Sequence, residues 1–163
     1  ANGTMATFTA TAAALARRSG AVAATDVTGF GLLGHALQLA RASEVALELG
    51  FAGVPVLEGA LEFAELGLLS VAAYSNRAYV GDAVRFADDL PRAAQDLLFD
   101  PQTSGGLLIC CPAERAAELV AWARTELTTP FGVVGRVVAA TGGPAITVRS
   151  RACTVSAEGV AGP

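Results

Sequence analysis

Very little bulk is available to fill a core in this sequence. Alanine occupies 35 of its 163 positions and glycine 18, against seven Phe, two Tyr and one Trp. With 53% hydrophobic residues the chain still carries enough apolar surface for one well-buried domain, or two tight ones. Its elements must therefore pack with their backbones close together, around small and aliphatic side chains, and disorder is excluded as the main state. All 11 basic residues are Arg. That removes every mechanism needing an ammonium group: a phosphate-loop lysine, a Schiff base, a Ser/Lys dyad.

A net charge of −4, with arginines scattered singly apart from Arg17-Arg18, offers no basic stripe for a phosphate backbone. The longest apolar windows, such as Ala21 to Ala24 and Gly67 to Ala73, fall far short of a membrane span. The expectation is a cytoplasmic protein with neither nucleic acid nor membrane as partner. Three cysteines, Cys110, Cys111 and Cys153, form an odd set without metal-ligand spacing. Adjacent Cys110 and Cys111 in a strand point to opposite faces, which reads as buried thiols in a reducing compartment.

Met5, Phe8, Ala12, Leu15 and Ala16 fall at helical spacing before Ser19-Gly20, predicting an amphipathic helix over 5–18. A buried strand is expected at 21–25, then a turn, Asp26-Val27-Thr28-Gly29-Phe30-Gly31, opening a helix with Leu32, Leu33, Ala36, Leu37 and Ala40 on its buried face. Alternation of Val45, Leu47 and Leu49 with Ala46 and Glu48 predicts a strand, and 56–67 reads as helix. From Leu68 to Leu90 no period is clean, and the polar, aromatic run around Asn76, Arg77 and Tyr79 reads as a functional loop. Pro91 starts a short helix through Leu98, and Leu107 to Cys111 reads as a strand. Pro112 opens a helix bearing Ala116, Leu119, Val120 and Ala123. Strands at 132–139 and 145–149 are expected to pair as a hairpin over Thr141-Gly142-Gly143-Pro144. The whole reads as a single α+β domain over 1–163, one mixed sheet with helices packed on it.

Gly29-x-Gly31-x-x-Gly34 satisfies a dinucleotide fingerprint, with Glu48 where a ribose-binding acid would be sought. Asp26 just ahead of the glycines speaks against it, since its charge would meet the pyrophosphate. A carboxylate at a strand end beside Thr28 and a glycine-opened helix instead suits a metal ion shared with a phosphate chain, because Mg²⁺ takes one or two protein carboxylates and fills its remaining positions with phosphate oxygens and water. An Asx-turn or a helix cap accounts for the same residue. The pattern recurs: Asp100-Pro101-Gln102-Thr103-Ser104-Gly105-Gly106 again sets an Asp, hydroxyls and glycines at the edge of an apolar run. His35, alone among 163 residues, reads as a packed, hydrogen-bonded helix residue, and Glu58, Glu62 and Glu65 as a solvated face.

The segment from Thr25 to His35, TDVTGFGLLGH, together with Asp100 to Leu108, DPQTSGGLL, resembles selenophosphate synthetase, the selenide, water dikinase, of the AIR synthetase-related superfamily. The resemblance runs from the helix at Met5 to the Val133 to Val137 strand and covers the family's C-terminal half. It implies a three-layer α/β/α mixed sheet with partial likeness to ferredoxin. It also implies a homodimeric enzyme that turns selenide, ATP and water into selenophosphate, AMP and orthophosphate with Mg²⁺. Asp26 matches the family's C-terminal aspartate, which helps hold Mg²⁺ on the ATP phosphates. Thr28, Gly29, Gly31, Thr103, Ser104 and Gly105 are the positions expected along the rim of the ATP cleft. The family's catalytic Cys or selenocysteine with its nearby Lys belongs to the N-terminal half, so no catalytic residue is expected in this chain and no turnover by it alone. Ala24 stands where the family often has Cys. Two alternatives remain: another ATP-using member of the superfamily, or a non-catalytic dimerising scaffold domain.

Overall fold

The computed structural model describes residues 10–156 and 159–162. Its elements run α1 (Ala10–Arg18), β1 (Ala23–Asp26), α2 (Gly31–Ala42), β2 (Val45–Gly50), α3 (Ala60–Glu65), α4 (Val71–Val80), β3 (Val84–Phe86), α5 (Arg92–Leu97), β4 (Leu107–Cys110), α6 (Ala116–Glu126), β5 (Gly135–Ala139), β6 (Ile146–Arg149), β7 (Thr154–Ser156) and β8 (Gly159–Ala161). Met5 and Phe8 of the expected first helix lie outside the described residues. Leu15 and Ala16 form the buried side of what is described.

A four-stranded mixed sheet in the order β3-β6-β2-β5 carries the core. β6 runs parallel to both β2 and β3, while β5 is antiparallel to β2. The α+β mixed-sheet expectation therefore holds, but the expected hairpin between the last two strands does not. β2 lies between them. Its Leu47 and Leu49 are buried on the core side and both of its edges are paired, which puts the strand inside the sheet. The 140–145 segment then crosses its end, where Leu47 N–H donates to the Ala145 carbonyl at 2.9 Å.

Leu47 and Leu49 sit in register with Ile146 and Val148, and these point at one face. There they meet Leu33, Ala36, Leu37 and Ala40 of α2, Ala73 and Val80 of α4, and Ala94 and Leu98 near α5. Four alanines, Ala36, Ala40, Ala73 and Ala94, and Val80 make up much of the helical side of this core, which lets the helices sit close on the sheet. Phe99, 1% exposed, supplies the bulk, edge-on to Phe86 with ring centroids 6.1 Å apart. On the opposite face Arg85, Thr147, Glu48 and Arg136 line up across the four strands. Glu48 and Arg136 are ion-paired there at 2.7 Å.

β1 and β4 form a separate antiparallel ribbon, with Asp26 opposite Leu107. The sequence reading made β1 a buried strand. In the structure Val22 just before it is 79% exposed and every second residue of β1 faces solvent. α2 packs against both this ribbon and the main sheet, and α1 packs on β4 and on α6. Arg18 ties those two helices, lying 3.8 Å from the Trp122 ring centroid and 2.6 Å from Glu126. A last ribbon, β7 with β8, was not foreseen; its strands are three residues each, too short for a period to register.

The stretch from Leu68 to Leu90 is not a loop. It forms α4, a turn of 3₁₀ helix and the edge strand β3. Its helix is started by Ser70, whose hydroxyl accepts from Ala73 N–H at 3.3 Å. The expected helix over 56–67 is shorter, confined to Ala60–Glu65.

Candidate functional site

Both Asp-bearing turns come together at one rim, and the reason is the β1–β4 ribbon. Antiparallel pairing sets the end of β1 beside the start of β4, so the turn leaving β1 and the turn entering β4 must lie side by side. Backbone bonds continue the pairing past the strands. Val27 N–H donates to Gly106 O at 2.9 Å, and Gln102 N–H to Thr28 O at 3.0 Å.

Glycines permit the approach. Gly31 opens α2 at φ +67°, and a Cβ there would stand 2.6 Å from the Phe99 carbonyl carbon. A Cβ on Gly105 would run into the Val27 carbonyl. Among the rim residues expected from the sequence, Gly31 and Gly105 thus let the two turns touch, while Gly29, Thr103 and Ser104 are solvent-exposed. Asp26 is also exposed, at the end of its strand. Thr28 faces inward: its hydroxyl is 3.1 Å from His35 Nε2, and Phe30 covers the imidazole edge-on at 5.6 Å. His35, 8% exposed, is the packed helix histidine expected.

Asp100 is held by its neighbours. Ser70 Oγ donates to its carboxylate at 3.4 Å and Gln102 Nε2 at 3.2 Å. Burial pushes its carboxyl above the ordinary aspartate range, and these hydrogen bonds offset only part of the effect. Asn76, read as part of a polar loop, is 7% exposed on α4 and donates to both Gly29 O and Phe99 O at 2.9 Å. Ser70 and Asn76 are the residues the sequence reading did not place. Their signal was the i, i+3, i+7 spacing of buried Ala73, Asn76 and Val80 behind a helix-capping serine.

The dinucleotide reading fails here, because β1 is not a parallel strand of a βαβ unit and Glu48 is engaged with Arg136 on the far face of the sheet. Burial pushes the Cys110, Cys111 and Cys153 thiols up, away from reactive thiolate. All three are free. Among the described residues no three His, Cys, Asp or Glu side chains converge as a metal cage. The rim is exposed, with Asp26, Gly29, Phe30, Thr103 and Ser104 open to solvent; depressions of about 380 and 310 Å³ lie on the outer sheet face and between β1 and α2. A single exposed carboxylate at a strand end suits a hydrated cation that takes its other ligands from phosphate, and does not suit a cation held by protein alone.

Comparison with known proteins is decisive for the family. The description "AIR synthase related protein, C-terminal domain" matches residues 3–147. The chain belongs to that family. Its similar relatives include a protein of Clostridioides difficile (strain 630) named selenide, water dikinase. That protein is 46% identical over 114 residues, 70% of this chain and 33% of the relative. A Treponema denticola protein of the same name is 48% identical over 97 residues, 60% of this chain and 27% of the relative. One from Rhizobium meliloti (strain 1021) is 46% identical over 117 residues, 72% and 34% of the two chains. The chain spans about a third of the length of these curated relatives. No helix among the described residues of this AIR synthase-related domain is long and apolar enough to cross a membrane.

Proposed function

We propose that residues 1–163 are one domain, the C-terminal part of an ATP-dependent selenophosphate synthetase. The whole enzyme, a cytoplasmic homodimer, converts selenide, ATP and water to selenophosphate, AMP and phosphate. The name shared by relatives 46–48% identical supplies the chemistry. The structural observation that carries this chain's part in it is the joining of two Asp-bearing turns at one open rim.

Phosphoryl transfer is governed by positioning and by neutralising charge on phosphate oxygens. Mg²⁺, when bound with ATP, supplies that neutralising charge. Asp26, exposed at the end of its strand, would hold the metal. The exposed Gly29 and the Thr103-Ser104-Gly105 turn would offer backbone N–H groups to the phosphates, and the hydroxyls of Thr103 and Ser104 further donors. Thr28 is kept in place by His35 at 3.1 Å, so the turn keeps its shape as charge arrives. Asp100, its carboxyl raised by burial, gains from a cation brought to the same rim. The remaining metal ligands and the nucleophile come from the other part of the enzyme. This chain by itself is therefore expected to show no turnover.

The test follows AMP release from ATP by chromatography, using the whole protein with Mg²⁺, with and without selenide. Selenide-dependent AMP release that falls at least about a hundredfold in Asp26→Asn supports the reading. Equal AMP release with and without selenide removes it in favour of another ATP-using reaction of the superfamily. A second reading, a dimerising scaffold, draws on the run of exposed apolar side chains Phe63, Leu66, Leu68, Val71 and Tyr74. It requires that Asp26→Asn leave every property unchanged.

A further inference from the structure

The two turns are tied at both of their ends by backbone bonds. On the strand side these are Val27 N–H to Gly106 O and Gln102 N–H to Thr28 O; on the helix side Leu33 N–H donates to Leu98 O at 3.1 Å. At the apex between those ties each turn bonds within itself, Gly31 N–H to Thr28 O and Asp100 N–H to Leu97 O, and no backbone N–H reaches across from one turn to the other. Instead the carbonyls of Gly29 and Phe99, one from each turn, converge on a single nitrogen, Asn76 Nδ2, at 2.9 Å each. Two carbonyl oxygens aimed at one point repel each other unless a donor with two hydrogens stands between them, and a primary amide is the neutral side chain that provides it. The backbone at this apex is already in contact, since a Cβ on Gly31 would stand 2.6 Å from the Phe99 carbonyl carbon.

α4 delivers the amide rigidly. Ser70 caps the helix and also donates to Asp100 at 3.4 Å. The same helix thus grips the Asp100 turn at its carboxylate and both turns at their apex.

We propose that Asn76 is a positioning residue: its amide sets the spacing between the Asp26 turn and the Asp100 turn, and with it the ability of the rim to engage a divalent cation and the phosphates of ATP together. This rests on the proposed function. Replacing Asn76 by Asp puts an anion against two carbonyls and splays the apex, whereas a structural role alone would lower stability without touching nucleotide affinity.

The test uses the whole protein, a non-hydrolysable ATP analogue with Mg²⁺, calorimetric affinity and thermal unfolding, with Asp96→Asn as the comparison. Asp96→Asn removes the charge that pairs with both Arg77 and Arg92, and neither turn bonds the Asp96 side chain. The expected result is a loss of analogue affinity of roughly ten- to a hundredfold in Asn76→Asp, the size carried by residues that orient metal ligands. Asp96→Asn should lose stability and keep the wild-type affinity. Asn76→Ser, which retains one donor, should fall between wild type and Asn76→Asp; it decides the matter if Asn76→Asp does not fold. Wild-type affinity in Asn76→Ser, or equal affinity losses in the Asn76 and Asp96 variants, would overturn the proposal. A wild type that binds the analogue with Mg²⁺ yet makes no selenophosphate removes the proposed reaction and leaves the role of Asn76 standing. A wild type that does not bind the analogue removes both.

Discussion

Asp100 illustrates how the rim trades stability for function. Its carboxyl is raised by burial above 3.8, against hydrogen bonds from Ser70 and Gln102 that work the other way. A raised carboxyl favours the protonated folded state, so this group's contribution to stability is fully present below the unfolded value and is lost as pH rises through the folded one. Asp100→Asn removes the charge and keeps an acceptor. Thermal unfolding should show the variant more stable than wild type at pH 7, with the gap closing as pH falls toward 3.8. A second residue-scale expectation concerns Gly31, whose φ of +67° and contact with the Phe99 backbone leave no room for a methyl group. Gly31→Ala should cost about 2 kcal/mol or more in denaturant unfolding. A loss under about 0.5 kcal/mol would show that the turns tolerate separation.

At the scale of elements, legibility depended on whether the buried face was apolar. The α2 helix and β2 strand were read correctly because Leu33, Leu37, Leu47 and Leu49 announce their periods directly. α4 was missed because its pattern is inverted: Val71, Tyr74 and Tyr79 are exposed, while Asn76 is buried for the sake of two carbonyls. Ser70 is the residue that gives α4 a defined start, and Ser70→Ala should cost about 1 kcal/mol by removing the bond to Ala73 N–H. The same change frees Asp100 from one of its donors. The hairpin expected for β5 and β6 failed for a different reason. Nearness in sequence favours hairpins, but β2 offers both of its edges, and β5 and β6 each pair with one of them instead of with each other.

For the whole molecule, the candidate site was legible as two motifs and not as an assembly. TDVTGFG and DPQTSGG each showed an Asp, hydroxyls and glycines at a strand edge. That they meet is a property of the β1–β4 ribbon, and that they stay together is a property of α4, and neither follows from local pattern. Asp26 is exposed at the end of its strand, and the chain spans about a third of the length of its curated relatives; on the proposed function, the rest of such a protein completes the site. The most direct test of that account is ³¹P NMR of the whole protein with Mg²⁺-ATP and selenide, run beside Asp26→Asn. Selenophosphate and AMP signals growing in the wild type and absent from the variant are the predicted result. Selenophosphate formed equally by both would contradict a metal-holding role for Asp26, and none from either would contradict the proposed reaction itself.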